Sequence, residues 1–168
     1  FLDELVVDGG LSADTMKRFS VALMRSFEKV SGKAALEGKM RYIAEVIVNY
    51  LIANDPAGAE SWVRTFLVGL DLDNALGRLA PAMVAQSPDK ALEIFASIKS
   101  VAPRLTAAPE LGAALAKSDP DAALKWADSI SAHSERTMAM GGVVTVMAGS
   151  DPARAAAHLK EFLWKIQN

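Results

Sequence analysis

The chain has 168 residues and a formal net charge of −2, with charged residues of both signs making up 23% of it. No basic run is present to attract nucleic acid or an anionic membrane, so neither is an expected partner. The absence of cysteine excludes disulfides, thiolate metal sites and a cysteine nucleophile. Hydrophobic residues reach 51%, yet only 7% of the chain is aromatic and much of the rest is alanine, a mixture that suits closely spaced helices better than β-branched strands.

In chain order, Phe1 stands where an initiator methionine would, so the chain reads as a trimmed piece of a longer product. A first periodic segment, roughly 13–31, starts after Ser12 and ends near Gly32. A second covers residues 40–54, where the apolar run YIAEVIVNYLIA is interrupted by Glu45 and Asn49 and is too short to span a bilayer. No transmembrane segment is expected anywhere.

From Asp55 onward the chain repeats itself. Pro56, Pro88, Pro120 and Pro152 stand 32 residues apart, each preceded by Asp or Ser. Three residues after them come Ala59, Ala91, Ala123 and Ala155; six after, Trp62, Ile94, Trp126 and His158; ten after, Phe66, Ile98, Ile130 and Phe162. An Asp or Ser side chain accepts a hydrogen bond from a free N–H of a helix's first turn, and proline next to it fits the first helical position, where no donor is needed. The recurring pair is therefore a helix start, and the spacing behind it lays one apolar stripe. Second apolar segments, roughly 72–86, 103–118 and 134–149, complete the units. The expected fold is all-α: an α-solenoid of antiparallel helical hairpins with a 32-residue period. It divides into an atypical unit 1–54, repeats 55–86, 87–118 and 119–150, and a half repeat or cap at 151–168. Gly77, Pro109 and Gly141 form a column of poor helix formers within the second helices, expected near a helix start or where helices approach closely.

These residues resemble the DP-x-x-A-x-x-W-A helical repeats of often exported bacterial proteins. DPDAALKWA (119–127) matches fully, DPAGAESWV (55–63) nearly, DPARAAAHL (151–159) through its alanine, and SPDKALEIF (87–95) without Asp or Trp. The period is also distantly similar to that of tetratricopeptide-type arrays, whose tryptophan–leucine–glycine–tyrosine signature is missing. The resemblance covers about residues 40–168 and implies an α-solenoid and a periplasmic or exported location, beside the cytoplasmic alternative. It brings no catalytic residue.

Chemical motifs are few. SFEK (26–29) and SPDK (87–90) fit S-x-x-K without its companion elements, and Ser87 is explained as a cap. DLDN (71–74) opens like a calcium loop, but Leu76 and Ala82 occupy the glycine and glutamate positions, leaving a cap and turn before the second helix. The two histidines, His133 in a polar turn and His158 in the tryptophan column, make a poor zinc site. Trp62 and Trp126 lie in the core column. Arg104 and Arg136 align, placed to bind helix-end carbonyls or to pair with Asp119 or Asp151.

No catalytic, cofactor or metal residue is assigned, and no cofactor is expected. The leading function is a non-catalytic scaffold for a protein or peptide partner, with Arg64, Glu93, Lys125, Asp128 and Lys160 as partner-binding candidates on the first helices. A structural spacer or anchoring domain of a larger exported protein is a second reading. An all-helical enzyme or small-ligand binder is a third, to be told by an enclosed pocket with convergent polar groups.

Overall fold

The computed structural model describes residues 12–31 and 39–167. Phe1 and Gly32, named above, lie outside them. Among the described residues there are nine helices and no strand: α1 (Ala13–Ser31), α2 (Lys39–Asn54), α3 (Pro56–Phe66), α4 (Gly69–Met83), α5 (Pro88–Ala96), α6 (Val101–Ser118), α7 (Pro120–Ser129), α8 (His133–Ser150) and α9 (Pro152–Gln167). None is long and apolar enough to cross a membrane.

The four Asp/Ser-Pro pairs start α3, α5, α7 and α9, and each cap residue uses its side chain. Asp55 accepts from Gly58 N at 2.9 Å, Ser87 from Lys90 N at 3.3 Å, Asp119 from Asp121 N and Ala122 N at 3.0 Å, and Asp151 from Arg154 N at 3.0 Å. Each satisfies a first-turn donor that the helix itself leaves unpaired. Gly58 has a local reason: a Cβ there would overlap the Asp55 carboxylate. Ser12 caps α1 in the same way, accepting from Thr15 N at 3.2 Å.

The second helices differ more from expectation. α4 begins at Gly69, three residues before the periodicity predicts, because Gly69 adopts φ +56° and turns the chain sharply after α3. It ends at Met83 rather than 86, where the backbone closes with Val84 N on Pro81 O at 3.4 Å. DLDN therefore lies inside α4 and not in a turn before it. His133 likewise opens α8 rather than standing in a loop.

Packing separates two kinds of helix. α2, α4, α6 and α8 pack on one another in succession, most extensively α6 on α8. α5, α7 and α9 pack on α4, α6 and α8, the second helices just before them in the chain. The core runs continuously from Met24 of α1 to Phe162 of α9. The residues three and ten after each proline are buried in all four cases: Ala59, Ala91, Ala123 and Ala155, with Phe66 and Phe162 in their helices and Ile98 and Ile130 just past the ends of α5 and α7.

Small residues explain the tight pairing of second helices. A Cβ on Gly112 would lie 2.5 Å from Ala139 O, and one on Gly142 would overlap the Pro109 carbonyl. At Gly77 a Cβ would only touch Ala107 Cβ and Pro103 O, both at 3.4 Å. Gly141, grouped with Gly77 and Pro109 by the period, faces open space. The glycine that α8 needs for close approach is its neighbour, Gly142, because the crossing point shifts by one residue relative to the repeat.

Trp62 is buried, its ring tilted by 49° against Phe66 at a centroid distance of 5.2 Å, and its indole N–H has no partner among the described residues. Burying such a ring is worth roughly 4–5 kcal/mol at ~25 cal/mol per Å², which outweighs an unmade hydrogen bond of about 1–3 kcal/mol. Trp126 is only half-buried, its ring edge-on to Phe95 at 5.6 Å. The expectation that both tryptophans are mostly buried holds: Trp62 is fully buried, and Trp126 is partly buried against the core.

Candidate functional site: the exposed face of the second helices

One column of the second helices stays in solvent throughout: Tyr42, Asn74, Thr106 and Met138, 32 residues apart and exposed in α2, α4, α6 and α8. Beside it an open cleft of about 270 Å³ lies across α2, α4 and α6, floored by Gly77, Pro103 and Ala107 and rimmed by Glu45, Asn74, Arg78, Thr106 and Glu110. A smaller one of about 100 Å³ adjoins it through Glu45, Asn74 and Arg78, and reaches Arg41 and Asp71. The floor is low because Gly77, Pro103 and Ala107 project little, the same small residues that let α4 and α6 come close.

The rim is ordered by its own contacts. Arg78 Nη1 donates to Asn49 Oδ1 at 2.7 Å and to Glu45 Oε1 at 3.4 Å, tying α4 to α2. Arg41 pairs with Asp71 at 3.1 Å. Thr106 returns its hydroxyl to Ala102 O at 3.1 Å, so its methyl and the neighbouring Glu110 remain for contact. The surface offers neutral hydrogen-bonding groups, one aromatic and one thioether, with a carboxylate at either edge.

Two buried polar joints hold the second helices in register beneath that face. Asp73, nearly inaccessible, accepts from Ser100 N at 2.7 Å at the start of α6. Burial pushes its carboxyl up, but the hydrogen bonds from Ser100 and Lys99 and the Lys99 charge hold it below the usual carboxylate value. At the start of α8, Glu135, 5% exposed, takes a two-point bond from Arg104 at 2.7 and 2.5 Å. The same guanidinium donates to Ile98 O at 3.2 Å and Phe95 O at 3.4 Å at the end of α5 and lies 4.7 Å over the Phe95 ring. The Glu135 hydrogen bonds raise the Arg104 pKa further against burial. Arg104 thus binds helix-end carbonyls as the sequence suggests, but its carboxylate is Glu135, not the cap Asp119. The joint does not recur at Arg136, because the position one period beyond Glu135 is Gln167.

All five sequence candidates are exposed on first helices. They do not form one site. Arg64 is engaged by Glu60 at 3.0 Å and Ser97 at 3.1 Å, while Glu93 accepts from Lys90, which also bridges to Glu60 at 3.3 Å. Those carboxylates hold Lys90 above its ordinary pKa. Lys125 and Asp128 share a separate open cleft of about 230 Å³ with Asp121, His158 and Glu161 between α7 and α9. Lys160 is on α9 and does not line it. His133 is exposed and His158 half-buried, in different helices. Ser26 spends its hydroxyl on Ala22 O at 3.0 Å, and Ser87 is a cap.

The apolar columns of the sequence do not point to the second-helix face. Its signal was present in the same register: Tyr42, Asn74, Thr106 and Met138 share the period but no chemical type, which is how an exposed column differs from a core one. Among the described residues no three acidic or histidine side chains lie together as a metal cluster. No family model, curated protein or solved structure matches the chain.

Proposed function

We propose that this chain is an α-solenoid scaffold whose second-helix face binds a segment of another protein. In this reading the units are 55–86, 87–118 and 119–150, preceded by an atypical unit 1–54 and followed by the half unit 151–168, and they belong with the DP-x-x-A-x-x-W-A repeats. The observation that carries it is the column Tyr42, Asn74, Thr106 and Met138, which presents one exposed side chain per unit, two of them, Asn74 and Thr106, on the rim of a shallow, open cleft. Repeat proteins bind elongated partners with such columns, because the core is built from other positions and the exposed ones vary without cost to the fold. The polar joints support the same role, since they keep successive second helices at a set spacing. The first-helix candidates Arg64 and Glu93 move to a secondary place, because neighbouring helices already engage them.

The test is affinity capture from a cell extract followed by mass spectrometry. The wild-type chain is compared with Asn74→Glu combined with Thr106→Glu, and with Arg64→Ala combined with Lys125→Ala. A partner retained by the second variant and lost by the first, with unchanged circular dichroism, supports the reading. A partner lost only by the second returns the site to the first helices.

A further inference from the structure

The cleft across α2, α4 and α6 is lined mainly by hydrogen-bond acceptors. Proline has no N–H, so Pro81, inside α4, cannot donate to the carbonyl of Gly77 four residues before it, the bond an α-helix otherwise makes there. Gly77 lines the cleft and has no side chain to cover that carbonyl. Beside it, the exposed Asn74 makes no side-chain hydrogen bond among the described residues. On the α6 side Glu110 is exposed and makes no ion pair or hydrogen bond among them. At the α2 edge Arg78 reaches Glu45 only at 3.4 Å and sits closer to Asn49, at 2.7 Å. Two carboxylates, Glu45 and Glu110, against one guanidinium, Arg78, leave the rim one negative charge in excess.

We propose that this cleft seats an arginine side chain of the bound segment. The inference rests on the second-helix reading above and adds the chemistry of what is bound. A guanidinium carries one positive charge, several N–H donors and no acceptor. That matches a site with one carboxylate in excess, a backbone carbonyl short of its donor and an amide oxygen. A backbone acceptor in a recess gains most from a donor delivered to it. The flat, weakly hydrated guanidinium also suits the low floor of Pro103 and Ala107, whereas a lysine ammonium is compact and strongly hydrated. An acidic side chain would set acceptors against acceptors. The volume of about 270 Å³ is below the roughly 300–1,000 Å³ of small-molecule pockets, and suits one long side chain held by a segment lying outside.

The probe is a tripeptide with blocked ends and arginine between two alanines, titrated into the full isotope-labelled chain and followed by amide chemical shifts in NMR. Saturable shifts at Asn74, Gly77 and Glu110 are expected, with a Kd on the order of 1–10 mM. Glu110→Gln should weaken binding at least about fivefold by removing a charge-assisted bond. Pro81→Ala should weaken it about threefold, because the new N–H takes the Gly77 carbonyl. Its melting temperature should hold or rise, since alanine is the better helix former, so a fold defect would not account for the loss. Asp128→Asn, in the cleft between α7 and α9, should bind as the wild type does. The lysine tripeptide should bind at least about threefold more weakly, and the glutamine and glutamate tripeptides should not saturate. Absence of saturable shifts, shifts centred on Asp128 and His158, equal binding by any of the other tripeptides, or undiminished binding by Glu110→Gln or Pro81→Ala overturns the proposal. The proposal and the reading beneath it fail separately. Asn74→Glu combined with Thr106→Glu adds carboxylates beside the cleft and should bind the arginine tripeptide at least as tightly as the wild type. Weaker binding there overturns the proposal, whereas a protein partner still captured by that variant overturns the reading of the face.

Discussion

Second and first helices solve the same stacking problem in opposite ways. α6 and α8 meet through their backbones, with Gly112 against Ala139 O and Gly142 against the Pro109 carbonyl. α3 and α5, or α7 and α9, are joined mainly by long polar side chains: Arg64 to Ser97, Lys90 to Glu60, and Arg154 to Asp121. Close contact without a Cβ gives many dispersion contacts and a fixed distance. Exposed ion pairs give little energy and tolerate movement. Backbone contact therefore fixes the spacing of α6 and α8, while the ion pairs add little to the joining of the first helices.

The strongest test of that attachment is Trp62→Ala, expected to cost about 3–5 kcal/mol in a denaturant melt because it empties a fully buried column position. Trp126→Ala, at a half-buried position, should cost about half as much. Equal costs would mean that both first helices are held alike.

The comparison is sharpest at two adjacent glycines. Gly142→Ala is expected to destabilise by about 2–4 kcal/mol, since the new Cβ must push α6 and α8 apart. Gly141→Ala, in open space within a helix, should stabilise by about 0.5–1 kcal/mol. Matching effects would break the claim that backbone contact sets the spacing.

Glu135→Gln leaves the largely covered Arg104 guanidinium without its carboxylate and should cost about 2 kcal/mol by urea melting. Asp73→Asn should cost about 1–2 kcal/mol at neutral pH. Its pH dependence has a definite sign. The folded carboxyl titrates below its ordinary 3.8, so its contribution is complete above that value and is lost as pH falls through the lower, folded one. The variant should show a flatter acid limb below about pH 4, and an unchanged limb would separate Asp73 from the joint.

The smallest effect belongs to the first-helix bridges. Arg154→Ala removes the exposed pair with Asp121 and should change stability by less than about 0.5 kcal/mol. A loss above about 1.5 kcal/mol would put the first helices on the same footing as the second.

The sequence alone determined where the four first helices begin and two of the columns they bury. Asp-Pro and Ser-Pro act within one turn, and the alanine and aromatic columns follow from helical spacing, so local chemistry suffices for both. It identified Pro56, Pro88, Pro120 and Pro152 as starts and the columns three and ten residues later as core. Tertiary structure alone decided what crosses between units. Gly142 rather than Gly141 receives the neighbouring carbonyl, Arg104 takes Glu135 rather than Asp119, and Trp126 is partly buried where Trp62 is fully buried. Each depends on the relative shift of two helices distant in sequence. A shift of one residue turns a side chain by about 100° around its helix, enough to exchange contact for solvent.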